Sequence, residues 1–294
     1  MNDHVATPLN QTRRKTALVT GAATGIGEAL TKKLAEENWQ VYAGYRNSSP
    51  DKAAWSGMAN VTPLKCDVVN REEVFNAAQR IRDEQGRLDL LVNNAAYASN
   101  AGVLEAPDME DYRKTMEVNF WGPMNVIQAC VPLLKLARGR IVNTGSASVY
   151  LTIPMGSAYP VSKTALTALS HHLRLELAPF GVQVTTLHPG GVATPMTALG
   201  SEVADRQWQS IPEPLRDDYA RHFRDGASAV GNNFRLYAPE EFARRVYQRV
   251  IMAPRLKPSY LIGPGVAPLP WLHRLLPVQQ VLNIWARMFA ARPA

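Results

Sequence analysis

Apolar residues along the chain recur in two rhythms. Short, mostly apolar runs such as Lys15-Thr-Ala-Leu-Val-Thr20 have the character of buried strands, and they predict strands at 15–20, 40–44, 61–65, 88–92, 139–144, 181–187 and 259–262. Between them, apolar positions return at helical spacing; Ile26, Ala29, Leu30 and Leu34 are the first example. This second rhythm predicts helices at 25–38, 71–85, 109–137, 159–178 and 239–252. Strand and helix alternating in this way imply a parallel sheet with helices on both faces, which right-handed crossovers wind in two directions. The fold class read from the pattern is therefore α/β, a single doubly wound Rossmann-type domain with a seven-stranded parallel sheet.

Two stretches break the rhythm. Residues 195–238 form a long excursion that mixes Met196, Leu199, Trp208, Ile211, Leu215, Tyr219 and Phe223 with many charges. Placed near strand C-termini, it reads as a helical substrate lid or a surface helical hairpin. After Pro264 comes a tail in which Val278, Val281, Leu282, Trp285, Met288 and Phe289 make a helical stripe. The implied division is a flexible segment at 1–14, a domain at 15–265 and an amphipathic tail at 266–294. An apolar stripe of that size needs cover, so burial against protein is expected ahead of peripheral membrane contact.

Two motifs carry chemistry. After the first strand comes Gly21-Ala-Ala-Thr24-Gly25-Ile26-Gly27, opening a helix. Glycines allow unusual dihedrals and close approach, and a helix N-terminus points free N–H groups at a pyrophosphate. The second motif is Ser157-Ala-Tyr159-Pro-Val-Ser-Lys163. Four residues of separation put phenol and ammonium on one helix face. A nearby cation lowers a tyrosine pKa, so the pair is expected to act as a general acid/base. Pro160 fits a helix's first turn, which places the helix start near Ser157.

With the residues between them, these motifs resemble the short-chain dehydrogenase/reductase family, over roughly Thr16 to Thr194 and more loosely to Gly265. Thr20-Gly-x3-Gly-x-Gly27 is similar to its cofactor turn. Asn93-Asn-Ala95 resembles its Asn-Asn-Ala-Gly motif, with Ala96 in place of the usual glycine. The resemblance implies a catalytic tetrad of Asn119, Ser146, Tyr159 and Lys163. It implies cofactor contacts from Gly21, Thr24, Gly25, Ile26, Gly27, Asp67, Asn93, Ala95, Tyr159, Lys163, Pro189, Gly190 and Thr194. In these roles Tyr159 exchanges the proton, Ser146 holds the substrate oxygen, Lys163 tunes the tyrosine and binds the nicotinamide ribose, and Asn119 holds a water. Asn93 and Ala95 would line the adenosine side. Asp67 would face the adenine amino group or, on a purely local reading, cap the next helix.

Cofactor choice is expected at the end of the second strand. Where an acid would bind the NAD ribose, the chain has Tyr45 and then Arg46, whose guanidinium suits a 2′-phosphate. NADP(H) is therefore expected over NAD(H). The implied function is an oxidoreductase interconverting a hydrophobic ketone or aldehyde and its alcohol, with loose similarity to hydroxysteroid and retinol dehydrogenase-like members. A cofactor-sensing binding protein on the same fold, or an epimerase or dehydratase using the Tyr/Lys pair, are the alternatives.

Composition narrows the partners. The 294 residues suit one large α/β domain. The net charge of +7 comes from scattered residues, with only Arg13-Arg14-Lys15 in a run, so no nucleic acid is expected. Cys66 and Cys130 show no metal-ligand spacing and fit a reducing compartment. The first 14 residues are polar, and no apolar run is long enough to span a bilayer. A cytoplasmic homodimer or homotetramer is expected, with a small hydrophobic carbonyl or alcohol substrate and no metal.

Overall fold

The computed structural model describes residues 13–48, 50–98, 102–198, 200–222 and 235–289. Most of the flexible segment expected at 1–14, and Phe223 of the excursion, lie outside them, as do the side chains of Leu199 and Phe289.

Seven strands form one parallel sheet: β1 (Thr16–Val19), β2 (Gln40–Tyr45), β3 (Val61–Lys65), β4 (Leu90–Asn93), β5 (Arg140–Thr144), β6 (Gln183–Pro189) and β7 (Ser259–Ile262). Their spatial order is β3-β2-β1-β4-β5-β6-β7. Strand order reverses between β1 and β4, where a doubly wound sheet opens a crevice at its carboxyl edge. Pro63 lies within β3, at the edge of the sheet, where a missing N–H leaves no ladder bond broken.

The connecting helices are α1 (Gly25–Glu36), α2 (Arg71–Gln85), α3 (Met109–Met116), α4 (Gly122–Ala137) and α5 (Ala158–Leu177). Then come α6 (Pro195–Ala198), α7 (Gly200–Gln209) and α8 (Glu213–His222) within the excursion, and α9 (Pro239–Val246) beyond it. The tail holds α10 (Leu269–Leu275) and α11 (Val278–Phe289). Alternation along β1 sorts its side chains to two faces. Ala17 and Val19 join the core that includes Leu30 and Leu34 of α1 and Phe242 and Val246 of α9. Leu18 joins the other core, with Val74 and Ile81 of α2 and Val126 and Leu133 of α4. Each fully buried leucine contributes about 1.5–3 kcal/mol.

Two predicted helices are interrupted. The single helix expected at 109–137 has a π-turn at Glu117–Trp121, where Gly122 N–H reaches back to Glu117 C=O. The helix expected at 239–252 changes to a π-turn at Tyr247–Ile251. Each π-turn inserts one residue and rotates the following face, and in the first case the rotation serves Asn119.

Candidate active site

The glycine turn leaves β1 at the reversal point. Gly21 and Gly25 have φ of 63° and 59°, where a side chain would be strained. A Cβ on Gly27 would stand 2.1 Å from the carbonyl oxygen of Gly21, so only glycine lets α1 begin there. The turn is held from β4. Thr20 Oγ1 accepts from Asn94 N (3.0 Å) and Ala95 N (3.1 Å), while Asn94 Nδ2 donates to the carbonyls of Thr20 (3.1 Å) and Gly21 (3.2 Å). Trp55, fully buried, donates from Nε1 to Ala22 O at 2.7 Å. Thr24 occupies the N-cap of α1 but makes no side-chain cap bond.

Asn93 behaves differently from expectation. Its side chain points into the sheet and donates to Asn143 Oδ1 at 2.8 Å, and Asn143 donates to Ser170 Oγ at 2.9 Å. The pleat turns Asn93 inward, which leaves its neighbour Asn94 to clamp the turn. Ala95 lies against Gly21, whose imagined Cβ would meet Ala95 Cα at 2.9 Å. Thr20, Asn94 and Trp55 are the residues that sequence reasoning missed. Their partners lie 33 to 75 residues away, and no local pattern marks them.

Other expected cofactor contacts fall around this turn. Thr194 meets it directly, since a Cβ on Gly25 would lie 3.2 Å from Thr194 Cβ. Thr194 is fixed in turn by Thr197, whose Oγ1 accepts from Thr194 N at 2.8 Å. Pro189 ends β6, and Gly190 N donates to Ile262 O of β7 at 2.8 Å. Arg46 follows β2 directly and is exposed. Asp67 does not cap α2; Asn70 does, accepting from Glu72 N and Glu73 N. Asp67 Oδ1 accepts from Val69 N at 3.2 Å, and its own N donates to Glu73 Oε2 at 2.9 Å, so local bonds fix it after β3.

The four expected catalytic residues converge beyond the carboxyl end of β5. Helix α5 starts at Ala158, with Ser157 as its N-cap and Pro160 in the first turn. Ser146 lies near enough to Tyr159 for its side chain to favour the ionised phenol. Lys163 Nζ lies 5.6 Å from the centre of the Tyr159 ring and donates to Thr144 O at 2.9 Å. Asn119, fully buried on the π-turn, accepts from Tyr97 N (2.8 Å) and donates to Tyr97 O (3.0 Å) and Ser162 Oγ (3.1 Å). Ser162 Oγ in turn donates to Tyr159 O at 2.7 Å. Hydrogen bonds thus tie Asn119 to the Tyr159 backbone through Ser162, while Lys163 is held separately by Thr144 O. π-turns are frequent at functional positions for this kind of reason.

Electrostatics amend one expectation. Burial pushes the Tyr159 phenol above its ordinary value, and the Ser146 side chain pulls it part of the way back. Burial also lowers Lys163 to about 7. In the ligand-free site burial outweighs any lowering of the phenol by its neighbours, so the tyrosine is not brought below its usual range.

His188, absent from the expected site, underlies the serine. It is 1% exposed, and its Nδ1 lies 3.0 Å from the Ser146 carbonyl. A carbonyl only accepts, so Nδ1 carries the proton. Burial holds the ring's pKa at about 4, and the imidazole is neutral. Tyr150 stacks edge-on against His188 (5.8 Å) and against His273 of α10 (5.7 Å). His273 Nε2 lies 2.8 Å from Tyr150 O. Val281 and Trp285 of α11 pack with Leu151, Ile153, Leu269, Leu272 and Leu276. The tail therefore covers the loop that follows Ser146. Only the centre of the stripe is buried: Val278, Leu282 and Met288 remain exposed.

The 195–238 excursion is stapled at its base by a bridge between Val192 and Tyr237, with Ala193 N donating to Tyr237 O at 2.9 Å. Tyr219 of α8 donates to Glu105 Oε2 at 3.1 Å, bringing the excursion over the loop after β4. Among the described residues there is no cluster of metal-ligating side chains, and no helix is long and apolar enough to cross a membrane.

A reversal-point glycine turn, with Ser146, Tyr159, Lys163 and Asn119 gathered at the same sheet edge, defines a nucleotide-dependent enzyme class. The family model described as short chain dehydrogenase matches residues 15–204, and the chain belongs to that family. It is 34% identical over 228 residues to mitochondrial D-beta-hydroxybutyrate dehydrogenase of Bos taurus, covering 72% of this chain and 65% of that protein. The chain thus spans somewhat less than two thirds of that relative's length. It is 35% identical over 260 residues to NADPH-dependent 1-acyldihydroxyacetone phosphate reductase of Schizosaccharomyces pombe, covering 86% and 83%. A solved short chain dehydrogenase from Burkholderia cenocepacia, in complex with NADP, superposes with a TM-score of 0.71 at 27% identity, covering 97% of this chain and 100% of that one.

Proposed function

We propose that this protein is an NADP(H)-dependent oxidoreductase that interconverts a hydrophobic ketone or aldehyde and the corresponding alcohol, with Tyr159 as general acid/base. The observation that carries the reading is the convergence of Tyr159, Lys163 and Asn119 next to Ser146 at one sheet edge, with Lys163 Nζ 5.6 Å from the centre of the Tyr159 ring. The glycine cradle fits a dinucleotide, because three of its positions tolerate no side chain without strain or collision. When bound, the nicotinamide supplies or accepts the hydride. Gly21, Thr24, Gly25, Ile26 and Gly27 would hold the pyrophosphate, with Thr194 closing over it. Arg46 would favour the 2′-phosphate, in keeping with the NADPH-dependent yeast relative and the NADP-bound structural neighbour.

In the reductive direction the raised phenol pKa keeps Tyr159 protonated and ready to give its proton to the carbonyl oxygen. Ser146 donates to the same oxygen and fixes its position. Lys163, poised near neutrality, can return a proton to the tyrosine, and Asn119 holds the start of α5 in register through Ser162. Leu151 and Ile153, packed against the tail in the loop after Ser146, would supply an apolar wall on the substrate side. That wall supports a hydrophobic substrate.

Tyr159→Phe tests the assignment. It keeps the ring and removes the proton. NADPH consumption with a panel of hydrophobic ketones should fall about 10²- to 10⁴-fold, while cofactor binding persists. Near-normal turnover in the variant would reject Tyr159 as the acid/base.

A further inference from the structure

His188 is a fully buried imidazole beside the reacting groups, and the reaction as proposed above gives it no task. We propose that His188 is a positioning residue: its Nδ1–H holds the Ser146 carbonyl and so fixes where the serine hydroxyl meets the substrate oxygen. The inference rests on the roles of Ser146 and Tyr159 given above and adds a residue which they leave out.

Three observations carry it. First, the backbone ladder gives out just before the serine. The pairing of β5 with β6 ends at Thr144 and Leu187, and Gly145 N donates to Leu187 O at 2.7 Å as a last backbone tie. Ser146 is the next residue. Its carbonyl accepts from Val149 N at 3.3 Å, but that bond lies within the 3₁₀ turn at Ala147–Tyr150 and moves with it. The bond from His188 Nδ1, at 3.0 Å, runs back to β6. The imidazole thus carries the sheet's grip one residue further than the backbone reaches.

Second, the chain makes room for this contact. A Cβ on Gly145 would stand 2.7 Å from His188 Nδ1 and 3.0 Å from its Cε1, so a side chain at 145 would push the ring aside. Tyr150 packs edge-on against the ring and against His273 of the tail. Third, an apolar ring would sit here more comfortably. Burial keeps the imidazole neutral, and with the proton on Nδ1, Nε2 is a buried acceptor that has no partner among the described residues. Burying an unmet acceptor is unfavourable. What sets the imidazole apart from a phenyl ring at this place is one donor, and that donor meets Ser146 O. The serine is then fixed at both ends. His188 holds its carbonyl, and its Oγ accepts from Ser148 N at 3.1 Å, which leaves the hydroxyl proton for a substrate oxygen.

The test follows NADPH consumption by the full chain with the ketone panel. His188→Leu should lower kcat about ten- to a hundredfold and leave cofactor affinity within about twofold. His188→Asn keeps a donor near the place of Nδ1 and should restore kcat to within about threefold. His188→Gln carries its donor out to the place of Nε2 and should stay slow. In a Ser146→Ala background, with no hydroxyl left to place, His188→Leu should cost less than about a further twofold. An equal loss in both backgrounds would show that His188 does not act through the serine and would overturn the proposal. Should His188→Leu fail to fold, the contrast between Asn and Gln decides alone, and equal rates for those two would overturn it as well. If Ser146→Ala keeps normal turnover, the serine's role falls and the positioning role with it. If Ser146→Ala is slow while His188→Leu is not, the serine stands and His188 alone loses its part.

Discussion

The cofactor cradle and the wall behind Ser146 are built on opposite terms. In the cradle, backbone meets backbone. Gly27 has a carbonyl within 2.1 Å of where a Cβ would be, Asn94 and Trp55 bind the turn's own carbonyls, and Thr20 accepts from the peptide groups that follow β4. The wall is made of side chains in a small separate cluster, with Val281 and Trp285 seated on Leu151 and Ile153 while much of the same helix stays exposed. One region has no slack because a shared ligand must fit its peptide groups. The other has slack, and within one fold that is where substrate choice can change.

Matched glycines should break the comparison most visibly. Gly27→Ala forces the turn apart and should cost about 3 kcal/mol, together with dinucleotide binding. Gly156 lies in the loop leading to α5 with no heavy atom nearer than 4.0 Å to an added Cβ, and Gly156→Ala should stay within about 0.5 kcal/mol. Urea unfolding of both variants reads the contrast, and similar losses would remove it.

Matched tryptophans sharpen it further. Trp55→Phe strands the Ala22 carbonyl and should cost about 2 kcal/mol. Trp285 Nε1 is buried with no partner among the described residues, so Trp285→Phe removes an unsatisfied donor as well as some apolar area. Its net effect should stay below about 1 kcal/mol. A cost for Trp285→Phe equal to that for Trp55→Phe would show the tail to be as tightly specified as the cradle.

A further effect, which is a pH dependence, lies between the two regions, at Lys163. Its folded pKa, about 7, is below the unfolded value near 10.4, so above neutrality the unfolded chain binds more protons. Stability of the ligand-free protein should therefore rise with pH from about 7 to 8.5, by roughly 1.5 kcal/mol from this group. Higher pH is less clean, because Cys66, held near 12 by burial, opposes the trend once unfolded thiols ionise. In Lys163→Met the rise should vanish in chemical-denaturation curves; its persistence would assign the slope to another group.

The sheet was legible because each strand carries its own apolar run, and the glycine turn because glycine spacing is a local signal. The Ser146, Tyr159 and Lys163 cluster was legible through motif spacing. The π-turn at Glu117–Trp121 was not: apolar periodicity runs through it, and its cause is Asn119 reaching the backbone of Tyr97, 22 residues earlier. The clamp by Asn94 was not legible either, because pleat phase decides which of two adjacent asparagines faces inward. The tail's stripe was visible, but how much of it finds cover depends on the loop it meets.

The clamp between Thr20 and Asn94 also has a consequence for how the chain can be made. Strand β1 gains its inner neighbour only when β4 arrives, more than 70 residues later, whereas β4 through β7 pair in the order of synthesis. A nascent chain ending before β4 can pair β1, β2 and β3 but has nothing to hold the glycine turn in its final shape. That seam closes the largest early loop and so carries a high entropic toll. Until Asn94 emerges from the ribosome, β1 keeps one edge unpaired and the glycine turn that follows it lacks its clamp.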